Sequence, residues 1–122
     1  MADDTYKPTR YRLSTEDRAN YGGPEWVTFD RNQIFELPAS KIMELEGAIG
    51  ATIGQFLAAN MQGSGFGVKA TLFIARRFAG IKEEFRTFDP HIFACDSEPV
   101  ESESEPEPDP TLPIEFGSEK PE

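Results

Sequence analysis

The sequence predicts a small, mainly α-helical fold: a compact bundle of three short helices, a small β-hairpin before them and a short helical turn after them. Two observations carry this reading. The stretch Ser64 to Gly80, SGFGVKATLFIARRFAG, is apolar around most of a helical circumference, as expected of a helix that others pack around. Two shorter amphipathic segments precede it, each with its own start and stop signals. A third observation sets the limits of the fold, because the 122-residue chain fits one domain and its two ends read as polar extensions.

The central stretch carries its own caps. The Ser64 hydroxyl can accept from an unpaired amide of the first turn. Gly80 fits just past the end, where a left-handed residue closes a helix. Arg76 and Arg77 fall in the last turn, where positive charge suits the dipole. At helical spacing Phe66, Ala70 and Phe73 share one face, and Val68, Leu72, Ala75 and Ala79 share nearly the opposite one. Lys69 and Arg76 mark a narrow polar strip between them. The stretch is too short and too charged to span a bilayer. Because the structured part is small, part of this rod is expected to stay bare and to be covered by another molecule.

In chain order, residues 1–23 read as a mobile N-terminal arm, polar and interrupted by Pro8 and Gly22-Gly23. Tyr6, Tyr11, Leu13 and Tyr21 give it aromatic and apolar points of attachment. Trp26 to Phe29 and Ile34 to Leu37 are short runs of strand formers. Asp30 to Gln33 between them suits a turn, so the pair predicts a β-hairpin that leans on the helices. The first helix covers Pro38 to Ile49, with Ser40 as the expected N-cap, or an earlier start at Pro38, and Gly50 as the stop. Its apolar face is Ile42, Leu45 and Ile49, with Met43 alongside. The second helix covers Thr52 to Met61, and Thr52-Ile53-Gly54-Gln55 fits a capping box. Ile53, Phe56, Leu57 and Met61 form its inner face.

After Gly80, the residues Ile81, Phe85 and Phe88 predict a short amphipathic turn over one end of the core. Asp89-Pro90 breaks it. The helical domain with its hairpin is thus placed at residues 24–93. Residues 94–122 read as a disordered acidic tail, since Asp96 to Asp109 is rich in Glu, Pro and Ser and offers little apolar surface against ordering entropy. Thr111 to Phe116, TLPIEF, is an apolar island within it.

Charge excludes several functions. The formal net charge is -10, and residues 96–122 hold ten acidic side chains and one Lys, whereas residues 1–95 hold 12 acidic and 11 basic ones. An almost neutral body with an acidic tail does not suit nucleic acid, which needs a basic surface. It does not suit anionic lipid either. Met1 to Arg12 is polar, so no signal peptide is expected, and the cytoplasm is the expected location.

Residues with chemistry are few. His91 is the single histidine and Cys95 the single cysteine, so an internal disulfide is excluded and a zinc site lacks its ligands. A His91–Cys95 nucleophilic pair lacks an orienting third group in the sequence. The run Gly63-Ser64-Gly65-Phe66-Gly67 is not preceded by a strand and not followed by Gly-Lys-Ser/Thr, so it reads as close packing at a helix start and not as a phosphate loop. No catalytic, cofactor or metal site is assigned, and the chain reads as a non-enzymatic protein that binds other proteins.

The segments FDRNQIFELPASKIMELEGAIGATIGQFL, GSGFGVKATLFIARRFAG and EEFRTFDP, in that order, resemble the tail assembly chaperones of long-tailed (siphovirus-type) bacteriophages of actinobacteria. The resemblance includes the helix ending Leu45-Glu46-Gly47-Ala48-Ile49-Gly50, the Ala/Leu-rich helix ending at Arg76-Arg77 and the acidic low-complexity C-terminus. It covers about Trp26 to Pro110. Gly47 and Gly54 inside helices and the long N-terminal arm depart from the pattern. The resemblance implies a protein that binds the tape-measure protein and keeps it soluble while tail-tube subunits polymerise, in the infected host's cytoplasm and outside the finished virion. The tube subunit and a second copy are further implied partners. It also implies a longer product made by programmed frameshifting, for which the Glu119-Lys120 codons offer an A-rich stretch. A head–tail connector or capsid accessory, and an acidic DNA mimic, are the alternatives from other classes.

Overall fold

A computed structural model describes residues 7–100. Within Pro8–Pro99 the chain is mainly helical, with five α-helices and one three-stranded antiparallel sheet among the described residues. The elements in order are β1 (Thr9–Arg12), α1 (Thr15–Tyr21), β2 (Val27–Phe29), α2 (Arg31–Phe35), α3 (Ala39–Ile49), α4 (Ile53–Gln62), α5 (Gly65–Phe78), a 3-10 turn (Ile92–Ala94) and β3 (Asp96–Pro99). Met1 to Tyr6, the island Thr111 to Phe116 and Glu119-Lys120 lie outside the described residues.

The three predicted helices are present, and their ends follow from local chemistry. The Ser64 hydroxyl accepts from Gly67 N–H at 3.1 Å at the start of α5. Thr52 and Gln55 exchange side-chain and backbone bonds at the start of α4, completing the predicted capping box. The turn from α4 to α5 needs Gly63 at φ 71°, a left-handed position that favours a residue without Cβ. The helix α3 differs in one detail: Pro38 is its N-cap and Ser40 lies inside. Proline suits this boundary because it has no N–H to leave unpaired.

The helix α5 is the centre of the core. Every residue from Ala70 to Arg76 is buried. It packs along α4 and lies against β2, with Leu72, Ile74 and Phe73 at 1 % exposure or less. Across the interface with the sheet, Phe29 and Phe56 meet edge to face at 5.7 Å. Along α4, Gly67 allows a close approach of the two helices: a Cβ built there would stand 2.2 Å from the Ala59 carbonyl oxygen. The crossing is pinned by Asn60 Nδ2, which donates to Thr71 Oγ1 at 2.7 Å, while that hydroxyl donates to Gly67 O. The sequence reading of Gly67 as a packing glycine is thereby met.

Several expectations are corrected. Residues 9–21 are not an arm. Tyr11 and Leu13 point to the core while Arg10 and Arg12 face outward, the period of a half-buried strand. Ser14 then caps α1 by accepting from Asp17 N–H. The hairpin is replaced by a sheet of order β2-β1-β3. Val27 to Phe29 pairs with β1, Thr9 opposite Phe29 and Tyr11 opposite Val27. The predicted second strand is the short helix α2, because the Asp30 carboxylate accepts from Asn32 N–H and turns the chain into a helix.

The expected disordered tail, residues 94–122, is corrected at its start, and residues 101–122 of it lie outside the described residues. Asp96 to Pro99 forms β3, antiparallel to β1. Its two acidic residues meet the two outward arginines: Glu98 accepts from Arg10, and Asp96 from Arg12 at 2.7 Å. Trp26 lies beneath both guanidinium groups, 4.1 and 4.7 Å from its ring centre. The expected short turn is present, closed by Phe88 N–H on Glu84 O, and it sets Phe85 and Phe88, though not Ile81, against the core. Phe88 is buried and meets Tyr21 edge to face.

The expected bare flank of the central rod is also corrected. Arg76, expected on a polar strip, is 1 % exposed. Its guanidinium donates to both Glu83 carboxylate oxygens at 2.7 and 3.1 Å, and to the carbonyls of Tyr21 and Gly22. The segment after α5 and the end of α1 therefore close over the last turns of the helix. The large apolar side chains that stay exposed among the described residues lie mostly off this buried stretch of α5.

Candidate interaction surface

Among the described residues, a small fold with a closed interior still leaves five large apolar side chains in solvent. Phe35, Met43, Met61 and Phe93 are 60 %, 68 %, 82 % and 98 % exposed, and Phe66 is at 36 %. Two of them flank the elbow where α4 turns into α5, and a third follows the residue that reaches Gly65 at the start of α5. Met61 stands in the last turn of α4, Phe66 in the first turn of α5. Phe93 follows Ile92, which packs on Gly65 at the start of α5. Phe66 leans edge to face on Phe85 at 6.0 Å, and Phe85 on Phe73 at 5.3 Å. The elbow is thus continuous with the core through a ladder of rings.

Local sequence explains why this region is open. The chain reverses within Gln62-Gly63-Ser64, so α5 covers the Ala59–Asn60 side of the last turn of α4 and leaves Met61 outside. The sequence reading placed Met61 on the inner face of α4 and Met43 beside that of α3; both are exposed. Phe56 and Leu45 fill those faces instead. Scattered exposed apolar residues need no explanation. Large ones close to one turn make it a candidate contact surface.

The residues weighed for chemistry sit as follows. The His91 ring Nδ1 is 2.9 Å from Asp17 Oδ1, and the His91 backbone N–H donates to Asp17 Oδ2 at 2.7 Å. The orienting group that the sequence did not offer is therefore present. Burial pushes the Asp17 carboxyl up, but the His91 bonds and charge and the Ser14 bond outweigh it and hold it below the ordinary value. The Asp17 bond and charge, followed by Glu16, raise His91. Cys95 is half-buried, its thiol donates to the Asp96 carbonyl, and burial pushes its pKa up. A raised thiol is a poor nucleophile at neutral pH. The Asp17–His91 pair instead fastens the segment before β3 onto α1.

The Gly63–Gly67 run caps α5 and seats it on α4. Arg76 is structural, and the Arg77 guanidinium lies over the Phe73 ring at 5.1 Å. Among the described residues no group of three His, Cys, Asp or Glu is placed to hold a metal. No helix among them is long and apolar enough to cross a membrane. Comparison with protein-family models, curated proteins and solved structures finds no match to this chain.

Proposed function

We propose that this chain is a phage tail assembly chaperone that holds apolar helical segments of the tape-measure protein in solution while the tail tube forms around them. The observation that supports the reading is the elbow, where Met61, Phe66 and Phe93 stay in solvent although the rest of the core is closed. A helix presents side chains at i, i+3, i+4 and i+7, and a cluster of flexible Met and flat Phe side chains can accept such a stripe. Burying a side chain of this size is worth about 1.5–3 kcal/mol. Only a fraction of that appears as affinity, because association costs translational and side-chain freedom. Weak, renewable contact suits a chaperone that must release its client.

The acidic C-terminal residues give the pair the net charge that keeps it in solution. Under this reading the protein works in the cytoplasm of the infected host and is left out of the finished virion. The test is co-expression with a tape-measure protein from the same genome. The client is expected in the soluble fraction with the native chain and in the pellet with the Met61→Ser/Phe66→Ser/Phe93→Ser variant. A client equally soluble without its companion would refute the proposal.

A further inference from the structure

A second feature, independent of the elbow's role, is the groove between α3 and the segment Gly80–Arg86. It consists of two adjoining hollows of about 410 and 710 Å³ that share Arg77, Glu83 and Glu84. Ala48 and Phe85, in contact with the buried core at Phe73, give the smaller hollow an apolar floor. Lys41, Arg77, Lys82 and Arg86 stand around the two.

The acidic residues of the rim are already engaged. Glu83 gives both oxygens to Arg76, Glu44 lies 3.6 Å from Lys41, and Glu84 lies 3.7 Å from Arg86. Among the described residues Arg77 and Lys82 have no carboxylate partner. Arg77 is held in place by its stack on Phe73. The groove therefore combines an apolar floor with two cations in excess, on a body whose charges otherwise nearly cancel. We propose that it is a docking site for a partner protein's apolar segment flanked by Asp or Glu, the carboxylates pairing with Arg77 and Lys82 while the apolar residues lie over Ala48 and Phe85. Such complementarity sets orientation and partner choice more than raw affinity.

The probe is a synthetic amphipathic peptide with a Leu/Phe stripe flanked by Glu, compared with the same peptide carrying Lys at every Glu. Titrated into the full ¹⁵N-labelled chain, the Glu peptide is expected to shift amides of Lys41, Ala48, Arg77, Lys82 and Phe85. The Lys peptide is expected to bind about tenfold or more weaker, and added salt to weaken the Glu peptide. Lys82→Glu, at an exposed side chain, is expected to reduce Glu-peptide binding by about tenfold, and Arg77→Gln to reduce it further. Retained dispersion of the spectrum shows that each variant is folded. Equal binding of the two peptides, binding unchanged by Lys82→Glu, or shifts centred on Met61, Phe66 and Phe93 would overturn the proposal. So would concentration-dependent shifts at the groove amides without peptide, which would make a second copy the occupant.

Discussion

Arg76→Met is the most telling single change in this fold. The native guanidinium is 1 % exposed and makes four hydrogen bonds, two to Glu83 and two to the carbonyls of Tyr21 and Gly22. Methionine keeps an apolar stem of similar length but supplies no donor and no charge, and it removes the guanidinium from over the Phe88 ring. Glu83, whose side chain is 14 % exposed, is then left as a largely buried anion. Breaking a buried pair from one side costs about 3–5 kcal/mol, and orphaned acceptors act in the same direction. For a domain of this size each kcal/mol lowers Tm by about 4–8 °C. A loss of more than about 12 °C is expected, in a fold whose total stability is on the order of 5–15 kcal/mol. Urea unfolding followed by the fluorescence of Trp26 measures it. The double variant Arg76→Met/Glu83→Leu is expected to recover more than half, because it removes both charges from the interior. A loss below about 1 kcal/mol for Arg76→Met would refute the placement of this pair in a dry site.

Two further predictions follow from the same structure. Gly67→Ala puts a methyl group 2.2 Å from the Ala59 carbonyl oxygen, so α4 and α5 must separate; a cost of about 2–3 kcal/mol is expected in a thermal melt by circular dichroism, although alanine favours helix by about 1 kcal/mol over glycine. The Asp17–His91 pair gives stability a two-sided pH dependence. The carboxyl is lowered on folding, so its contribution is present above about pH 4, the ordinary carboxyl value, and is lost as pH falls through the folded value. The imidazole is raised, so its contribution is full below about pH 6.5 and is lost as pH rises through the folded value. Tm measured against pH should therefore be highest between these limits, and Asp17→Asn should flatten both slopes; identical profiles for the two proteins would exclude the pair as their source.

Helix ends were the most legible part of this chain. Ser64, Thr52-Gln55 and Gly50 act within four residues of themselves, so their roles can be read without knowing what packs nearby. The sheet was far less legible. The strands β1 and β3 are separated by more than eighty residues and consist mostly of polar ones. The Tyr11/Leu13 alternation was a signal present in the sequence, masked by the polar composition around it. The elbow was legible only as apolar residues. Met61 and Phe66 have the character of core side chains, and Phe93 carries no periodic signal at all. Their exposure depends on which surfaces the other elements reach.

By itself the sequence determined the three main helices, their caps, the central place of Ala70 to Ala75, the close approach at Gly67 and the separation of a nearly neutral body from an acidic end. These rest on interactions between near neighbours or on sums over composition. Only the tertiary structure decided that the N-terminal strand joins β2 to β3, that Arg76 is an interior cation, that Asp17 orients His91 and that Met61, Phe66 and Phe93 remain outside. Each of those depends on partners distant in sequence, where a charge or an apolar surface is satisfied only once the chain has closed on itself.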